Sequence, residues 1–420
     1  MTSNIINLPL SLIPGFNTLL NDDADADADD TNVLKLNKVI CKTENNQKYK
    51  VIRYDKEFLS YDNIPTYGLF RSVISNNSNN IVCFSPPKSL HSDTFFKLYN
   101  SENNNIVAQE FVEGTMINVF WDSNIGLSGG WEISTRNTVG ATSKFYKTSD
   151  GKTFRDMFLE AAQYNNFNLG LLNNSYCYSF VLQHPENRIV VPFTYPQLYL
   201  IAVYSIDNTD RNNIFVTVKD MEDIKTNQYF CSTTIKFPKT YTYTSYSELI
   251  EKYASMNTPY DIVGFVLYNK ETGERTKVRN PVYEQVRQLR GNQPKLQYQY
   301  LSLRKDNKVA EYLKFYPENK KDFSEFRDQL HLFTNTLFNN YISCYIKKEM
   351  PLINFSEQYR THMFNLHKNY LNELKEKNLY VTKMVVIKYV NNIHPSLLMY
   401  CLNYNLRKRN VDFINAELEL

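Results

Sequence analysis

The sequence predicts an α+β protein: antiparallel sheets with one inserted helix over 36–305, followed by an all-helical domain over 306–420. Two observations carry this. Short β-branched and aromatic runs at 116–121, 131–135, 176–182 and 198–206 are bounded by Gly, Pro and Asn, which is how strands are punctuated. After about residue 305 the apolar spacing changes to three and four, with Phe323, Phe326, Leu330, Phe333, Leu337, Tyr341 and Cys344 on one stripe. That is the period of an amphipathic helix.

Taken in order, residues 1–35 read as a disordered acidic tail, because the Asp/Ala alternation at 22–30 self-repels and offers nothing to bury. A solvated spacer and an acidic mimic of a polyanion are the two readings of it. Within the strand-rich region, Phe154, Met157, Phe158 and Ala161 repeat at helical spacing after the turn residues Ser149, Asp150 and Gly151. In the helical domain Pro351 stops the first helix, and Met363, Leu366, Tyr370 and Leu374 mark a second. A last helix starts at Pro395, a favoured first-turn position, and runs to the basic end Arg407, Lys408 and Arg409.

Composition excludes several classes. The chain of 420 residues is 42% hydrophobic and 22% charged, as in ordinary globular proteins. Six scattered cysteines without a CxxC pair give neither a zinc site nor a disulfide framework, so a reducing, intracellular and cytoplasmic setting is expected. The first twenty residues lack the pattern of a signal peptide, and no apolar run is long enough for a bilayer. His362 and His367 are five apart and off one helical face, and no phosphate-cradling GxxxxGK[ST] loop or GxGxxG is present. Charge is uneven. From residue 275 onward 24 Lys and Arg face 14 Asp and Glu, a net of +10, whereas 1–274 carry −7. A basic C-terminal half points to a polyanionic partner.

Several segments fall in a telling order: Tyr67-Gly68-Leu69-Phe70-Arg71-Ser72, Ser85-Pro86-Pro87-Lys88, Phe95-Phe96-Lys97-Leu98-Tyr99-Asn100 and Phe111-Val112-Glu113-Gly114. They continue with Trp131 to Asn137, then Phe180-Val181, Pro185-Glu186-Asn187-Arg188-Ile189-Val190, Val263-Gly264-Phe265-Val266 and Lys277-Val278-Arg279. Over roughly residues 50–290 this series resembles the RNA ligase family of covalent nucleotidyltransferases, of the phage T4 RNA ligase 1 type. The resemblance implies an antiparallel-sheet adenylyltransferase domain, with ATP and Mg²⁺ as cofactors if the chain is active. It also implies a nucleotide and phosphate site at Arg71, Glu113, Gly114, Lys277 and Arg279.

The departures from the family pattern are specific. Phe111 stands where the family has the lysine that attacks ATP, and Val181 and Val263 stand where it has carboxylates. Adenylylation needs a free amine and a carboxylate-bound Mg²⁺, so these positions read as degenerate and no catalytic residue or metal ligand is expected. Val181 and Val263 also fit ordinary inward strand positions, and Phe111 fits core packing or stacking on a base. Glu113 could pair with a cation, and Lys277 and Arg279 could be a solvated face. Lys144 and Lys147 are the nearest alternative amines.

Beyond Lys277, Arg279, Tyr283, Arg287, Arg290, Lys295, Tyr298, Tyr300, Arg304 and Lys305 form a basic, tyrosine-interleaved stretch. Cations neutralise phosphates and tyrosine rings stack on bases, so Arg287, Arg290, Lys295 and Arg304 are the RNA-binding candidates. A plain surface helix is the alternative. The first expectation is a ligase-like protein that binds RNA or nucleotide without catalysis, alone or as a subunit of a protein complex. An active ATP-dependent ligase using a non-standard lysine and a pure interaction scaffold are the others.

Overall fold

The computed structural model describes residues 6–21, 35–144 and 151–407. The acidic run at 22–30 and Lys147 lie outside the described residues. The chain divides into two compact units, Met1–Arg287 and Gln288–Leu420. Residues 288–305, which patterning groups with the strands, fall in the second unit.

The first unit is α+β. Its strands, in chain order, are β1 (Asn7–Pro9), β2 (Leu36–Lys42), β3 (Lys48–Tyr54), β4 (Val73–Ser75), β5 (Ile81–Phe84), β6 (Ile106–Glu110) and β7 (Thr115–Asp122). They continue with β8 (Gly130–Ser134), β9 (Tyr176–Gln183), β10 (Gln197–Asp207), β11 (Phe215–Val218), β12 (Thr240–Tyr241), β13 (Gly264–Asn269) and β14 (Arg275–Arg279). They form three sheets, ordered β1-β11-β10-β9-β7-β8, β2-β3-β4-β5 and β12-β6-β13-β14, and the strand pairs are antiparallel.

Alternation decides which face each sheet buries. Val51, Ile74 and Phe84 of the β2–β5 sheet pack with Phe120, Tyr204 and Val216 of the six-stranded sheet. The opposite face of the six-stranded sheet buries Phe180, Leu182 and Leu198 against Met157, Phe158 and Ala161. Those three lie on the helix Phe154–Tyr164, which starts at a capping box made by Thr153 and Asp156. In the third sheet Ala108, Phe265 and Leu267 pack on Phe95 and Leu249, from the helices Ser92–Leu98 and Tyr246–Tyr253. One face of the third sheet is therefore filled, and the other is left for a cleft.

The expectation of a disordered tail is corrected for residues 6–21. Asn7, Leu8 and Pro9 pair with β11, and Leu10, Ile13, Phe16 and Leu20 are buried in the first core. The physical reason is apolar content: the segment before the acidic run carries enough large side chains to offset its ordering entropy.

The second unit is helical, as its spacing predicts. Its helices include Leu296–Lys305, Val309–Phe315, Lys320–Tyr341, Glu357–Asn369, Lys383–Asn392 and Pro395–Leu402. Phe323, Leu330, Phe333, Leu337 and Tyr341 are all buried along the long helix. A wider helical turn, Ile342–Ile346, extends it toward Pro351. No helix among the described residues is long and apolar enough to cross a membrane.

Candidate functional site: a cationic cleft

Strand β14 reads Arg-Thr-Lys-Val-Arg, and period two does the rest. Thr276 is fully buried and Val278 packs against the third core, so Arg275, Lys277 and Arg279 share the opposite face. Across the sheet, Lys277 pairs with Val266 and Val266 with Gln109, while Arg279 pairs with Gly264. Phe111 sits beside that last pair, its amide donating to the Gly264 carbonyl at 3.4 Å. These side chains line a cleft of about 980 Å³.

The facing wall comes from the six-stranded sheet. Val181 of β9 lies between Met116 of β7 and Tyr199 of β10, and the three form a small apolar cluster with Val112 and Ile201. Arg71, which follows the helical turn Tyr67–Leu69, closes the cleft. An adjoining recess is lined by Arg71, Lys88, Arg136 and Lys277. The two spaces share Arg71 and Lys277, and around these two gather Lys88, Arg136 and Arg275, all five half-buried.

Their electrostatics are lopsided. Among the described residues, no carboxylate lies within ion-pair distance of any of the five. Arg136 donates to the Tyr54 hydroxyl at 3.1 Å, and the buried Nε atoms of Arg136 and Arg275 have no hydrogen-bond partner. Burial, then Arg279, Arg71, Arg275 and Lys88, push the Lys277 ammonium down to about 7. Burial and neighbouring arginines bring Arg71 down to about 10, which leaves it charged at neutral pH. Burial also lowers Arg275 and Lys88, the latter with help from four arginines. Buried charges without partners destabilise a fold, and here they are gathered in one place.

Arg279 differs from the five because it pairs with Glu284 at 3.1 Å, a carboxylate shared with Arg287. Carboxylates do line other parts of the cleft, including Asp220 and Glu222. Asp220 caps the helix Met221–Thr226 and Glu222 pairs with Lys225 at 2.7 Å, while Glu110, Asp223 and Glu271 line the cleft as well.

The cleft collects some of the residues the sequence singled out and not others. Phe111, Val181, Gly114, Arg71, Lys277 and Arg279 line it. Val263 does not; it is buried, and its carbonyl accepts the Asn280 amide at 2.9 Å. Glu113 also lies elsewhere. Its carboxylate is buried and accepts the amides of Val190 at 2.8 Å and Val191 at 3.0 Å. Burial pushes its pKa up, against those amides and the Tyr283 hydroxyl, which hold it down. Glu113 thus anchors the loop that carries Asn187 and Arg188 and does not line the cleft. Lysine and arginine stand within cation–π range of the Phe111 ring, with Lys277 at 5.9 Å and Arg279 at 5.7 Å from its centroid.

The basic stretch is less uniform than its composition. Tyr283 and Tyr300 are buried, so neither ring is free to stack on a base. Arg287 is bound to Glu284 at 2.9 Å and Arg304 donates to Asn391 at 2.6 Å. Arg290 ends the helix Pro281–Arg290 and Lys295 precedes the helix Leu296–Lys305.

Among the described residues no group of three or more His, Cys, Asp or Glu is placed to hold a metal ion. Sequence reasoning missed Arg275, Lys88 and Arg136. For Arg275 the signal was present, since it shares the strand alternation of Lys277 and Arg279.

No family model matches the chain. Relatives are found by sequence. An RNA ligase of Rhodothermus phage RM378 is 28% identical over 207 residues, covering 43% of this chain and 45% of that protein. The immediate-early protein ICP-46 homolog of Invertebrate iridescent virus 6 is 24% identical over 318 residues, covering 71% and 65%. A protein of Autographa californica nuclear polyhedrosis virus, named for polynucleotide kinase and RNA ligase, is 28% identical over 258 residues, covering 58% and 32%. The chain thus spans between about a third and two thirds of the length of these relatives. The chain is thus similar in sequence to viral proteins that include an RNA ligase and a protein named for polynucleotide kinase and RNA ligase.

Proposed function

We propose that this chain binds RNA or nucleotide by its phosphates in the cationic cleft and does not form a lysyl-nucleotide intermediate. The observation that carries this reading is the set of five half-buried cations gathered around Arg71 and Lys277, without a carboxylate partner among the described residues. Such a site is stabilised only when an anion enters it. At the positions where the family attacks and polarises a triphosphate, Phe111 and Val181 offer carbon. The six unpaired cysteines agree with a reducing, cytoplasmic setting.

Equilibrium binding of a single-stranded RNA tests it. Affinity should fall roughly 10- to 100-fold between about 50 and 200 mM salt, as expected for about four neutralised phosphates. Arg71→Ala combined with Lys277→Ala should weaken binding at least about tenfold and flatten the salt slope by about one unit. Unchanged affinity in that double variant would leave the fold as a scaffold only.

One observation favours a second reading, covalent chemistry through a displaced amine. Lys277 faces the Phe111 ring, and its pKa near 7 leaves much of it unprotonated at neutrality. Lys144 does not line the cleft. With Val181 in place of a carboxylate beside Phe111, this reading has less support for the charge withdrawal that opens a triphosphate.

A further inference from the structure

We propose that a stacked tyrosine pair outside the cleft, Tyr164 and Tyr195 with Lys236 beside it, is a platform for the bases of a single-stranded RNA. This rests on the reading of the cleft as an RNA site and adds a second place of contact to it.

Large exposed rings are ordinary one at a time, but these two come from different elements and stack on each other. Tyr164 ends the helix Phe154–Tyr164, and Tyr195 stands in the loop before β10. They are 56% and 44% exposed, yet their ring centroids lie 5.7 Å apart at an interplanar angle of 20°. Lys236, itself exposed, stands 5.7 Å from the Tyr195 centroid and 5.8 Å from that of Tyr199. Among the described residues no carboxylate lies within ion-pair distance of Lys236.

A buried node of amides holds the three segments together. Asn165 follows Tyr164, Gln197 stands two residues after Tyr195, and both are buried. The Gln197 side chain donates to the Asn165 side-chain oxygen and, at 3.0 Å, to the Thr234 carbonyl. Asn165 donates in turn to the Pro196 carbonyl at 3.3 Å, and its own carbonyl accepts the Thr234 amide at 3.1 Å. Lys236 is fixed two residues further on, its amide donating to the Leu198 carbonyl at 2.9 Å. A satisfied buried network is rigid. The rings are therefore ordered before a ligand arrives, and stacking on them costs little entropy.

The platform is continuous with the cleft. Tyr199 packs with Val112 and Val181 in the apolar wall, and Pro238, two residues beyond Lys236, lines the cleft. A strand that leaves the cleft past Pro238 meets Lys236 and then the two rings. Carboxylates nearby are engaged with the protein itself. Glu110 acts on Tyr199 from the cleft side, and its carboxylate accepts the Lys239 amide at 3.2 Å. Glu160, one turn before Tyr164, pairs with Lys152 at 2.6 Å. Two ring faces and one lysine suit stacked bases with a phosphate beside them, and aromatic faces accept any base.

Fluorescence anisotropy with full-length protein and a labelled single-stranded RNA of about twelve nucleotides tests this. Tyr164→Ala combined with Tyr195→Ala should weaken binding at least about tenfold and leave the salt slope unchanged, because stacking releases no counterions. Lys236→Gln should instead flatten the slope by about one unit. Tyr164→Phe combined with Tyr195→Phe should bind like the parent, since a ring without its hydroxyl still stacks. Unchanged affinity in the alanine pair, while Arg71→Ala with Lys277→Ala still weakens binding, overturns the platform and leaves the cleft reading standing. Equal loss in the phenylalanine and alanine pairs overturns it too, because hydroxyls and not ring faces would then hold the ligand. Failure of the parent to bind RNA overturns both.

Discussion

Gly264→Ala should abolish the folded first unit, or lower its stability by more than about 4 kcal/mol. Gly264 opens β13 at φ +129, and a methyl built there would lie 2.0 Å from the Val278 carbonyl oxygen and 2.9 Å from the Arg279 Cα. Both neighbours are backbone of β14, where Arg279 pairs with Gly264 and Val278 with Phe265, so neither can swing aside. The strand that would be pushed off is the one presenting Arg275, Lys277 and Arg279. Gly114 is placed in the same way, at φ +146, where an added methyl would stand 2.4 Å from the Leu182 carbonyl oxygen. Two glycines that the sequence matched to ligase motifs are thus required by close backbone approach, whether or not the chemistry persists. Soluble yield and a thermal melt by circular dichroism check this. A Gly264→Ala protein melting within a degree or two of the parent would contradict it.

Arg275→Met should move stability and ligand affinity in opposite directions. Among the described residues the Arg275 guanidinium has no carboxylate within ion-pair distance, its Nε is buried without a hydrogen bond, and burial lowers its pKa. Replacing a half-buried charge that has no carboxylate partner with an uncharged chain of similar shape should raise unfolding free energy by about 1–3 kcal/mol. The melting temperature should rise by about 2 °C or more. Over the same substitution, loss of one charge-assisted contact should weaken phosphate binding roughly 10- to 100-fold. Arg279→Met is the control. Arg279 already holds Glu284 at 3.1 Å, so its removal should give no gain in stability. A melt of Arg275→Met at or below the parent temperature would show that Arg275 is compensated by a partner the cleft geometry does not reveal.

Much of the architecture could be read from local periodicity. The strand runs at 116–121, 176–182 and 198–206 appear as Thr115–Asp122, Tyr176–Gln183 and Gln197–Asp207. The three- and four-residue spacing after 305 gives Lys320–Tyr341, and Pro395 opens the last helix described. What could not be read depends on long-range neighbours. Nothing local to Glu113 shows that the amides of Val190 and Val191, more than seventy residues later, would hold it. Tyr283 and Tyr300 look like stacking rings in a basic stretch, yet their burial is set by partners distant in sequence. Lys88 and Arg136 join the cleft through loops, for which no period exists. Arg275 is the exception, since alternation alone places it beside Lys277.

The proposed function is that of an anion-holding cleft without a covalent step. Incubation with α-labelled ATP and Mg²⁺, followed by denaturing electrophoresis, tests that most directly. No labelled protein is expected, in the parent and equally in Lys277→Ala. A labelled band in the parent that disappears with Lys277→Ala would contradict the reading and establish the displaced amine as the nucleophile.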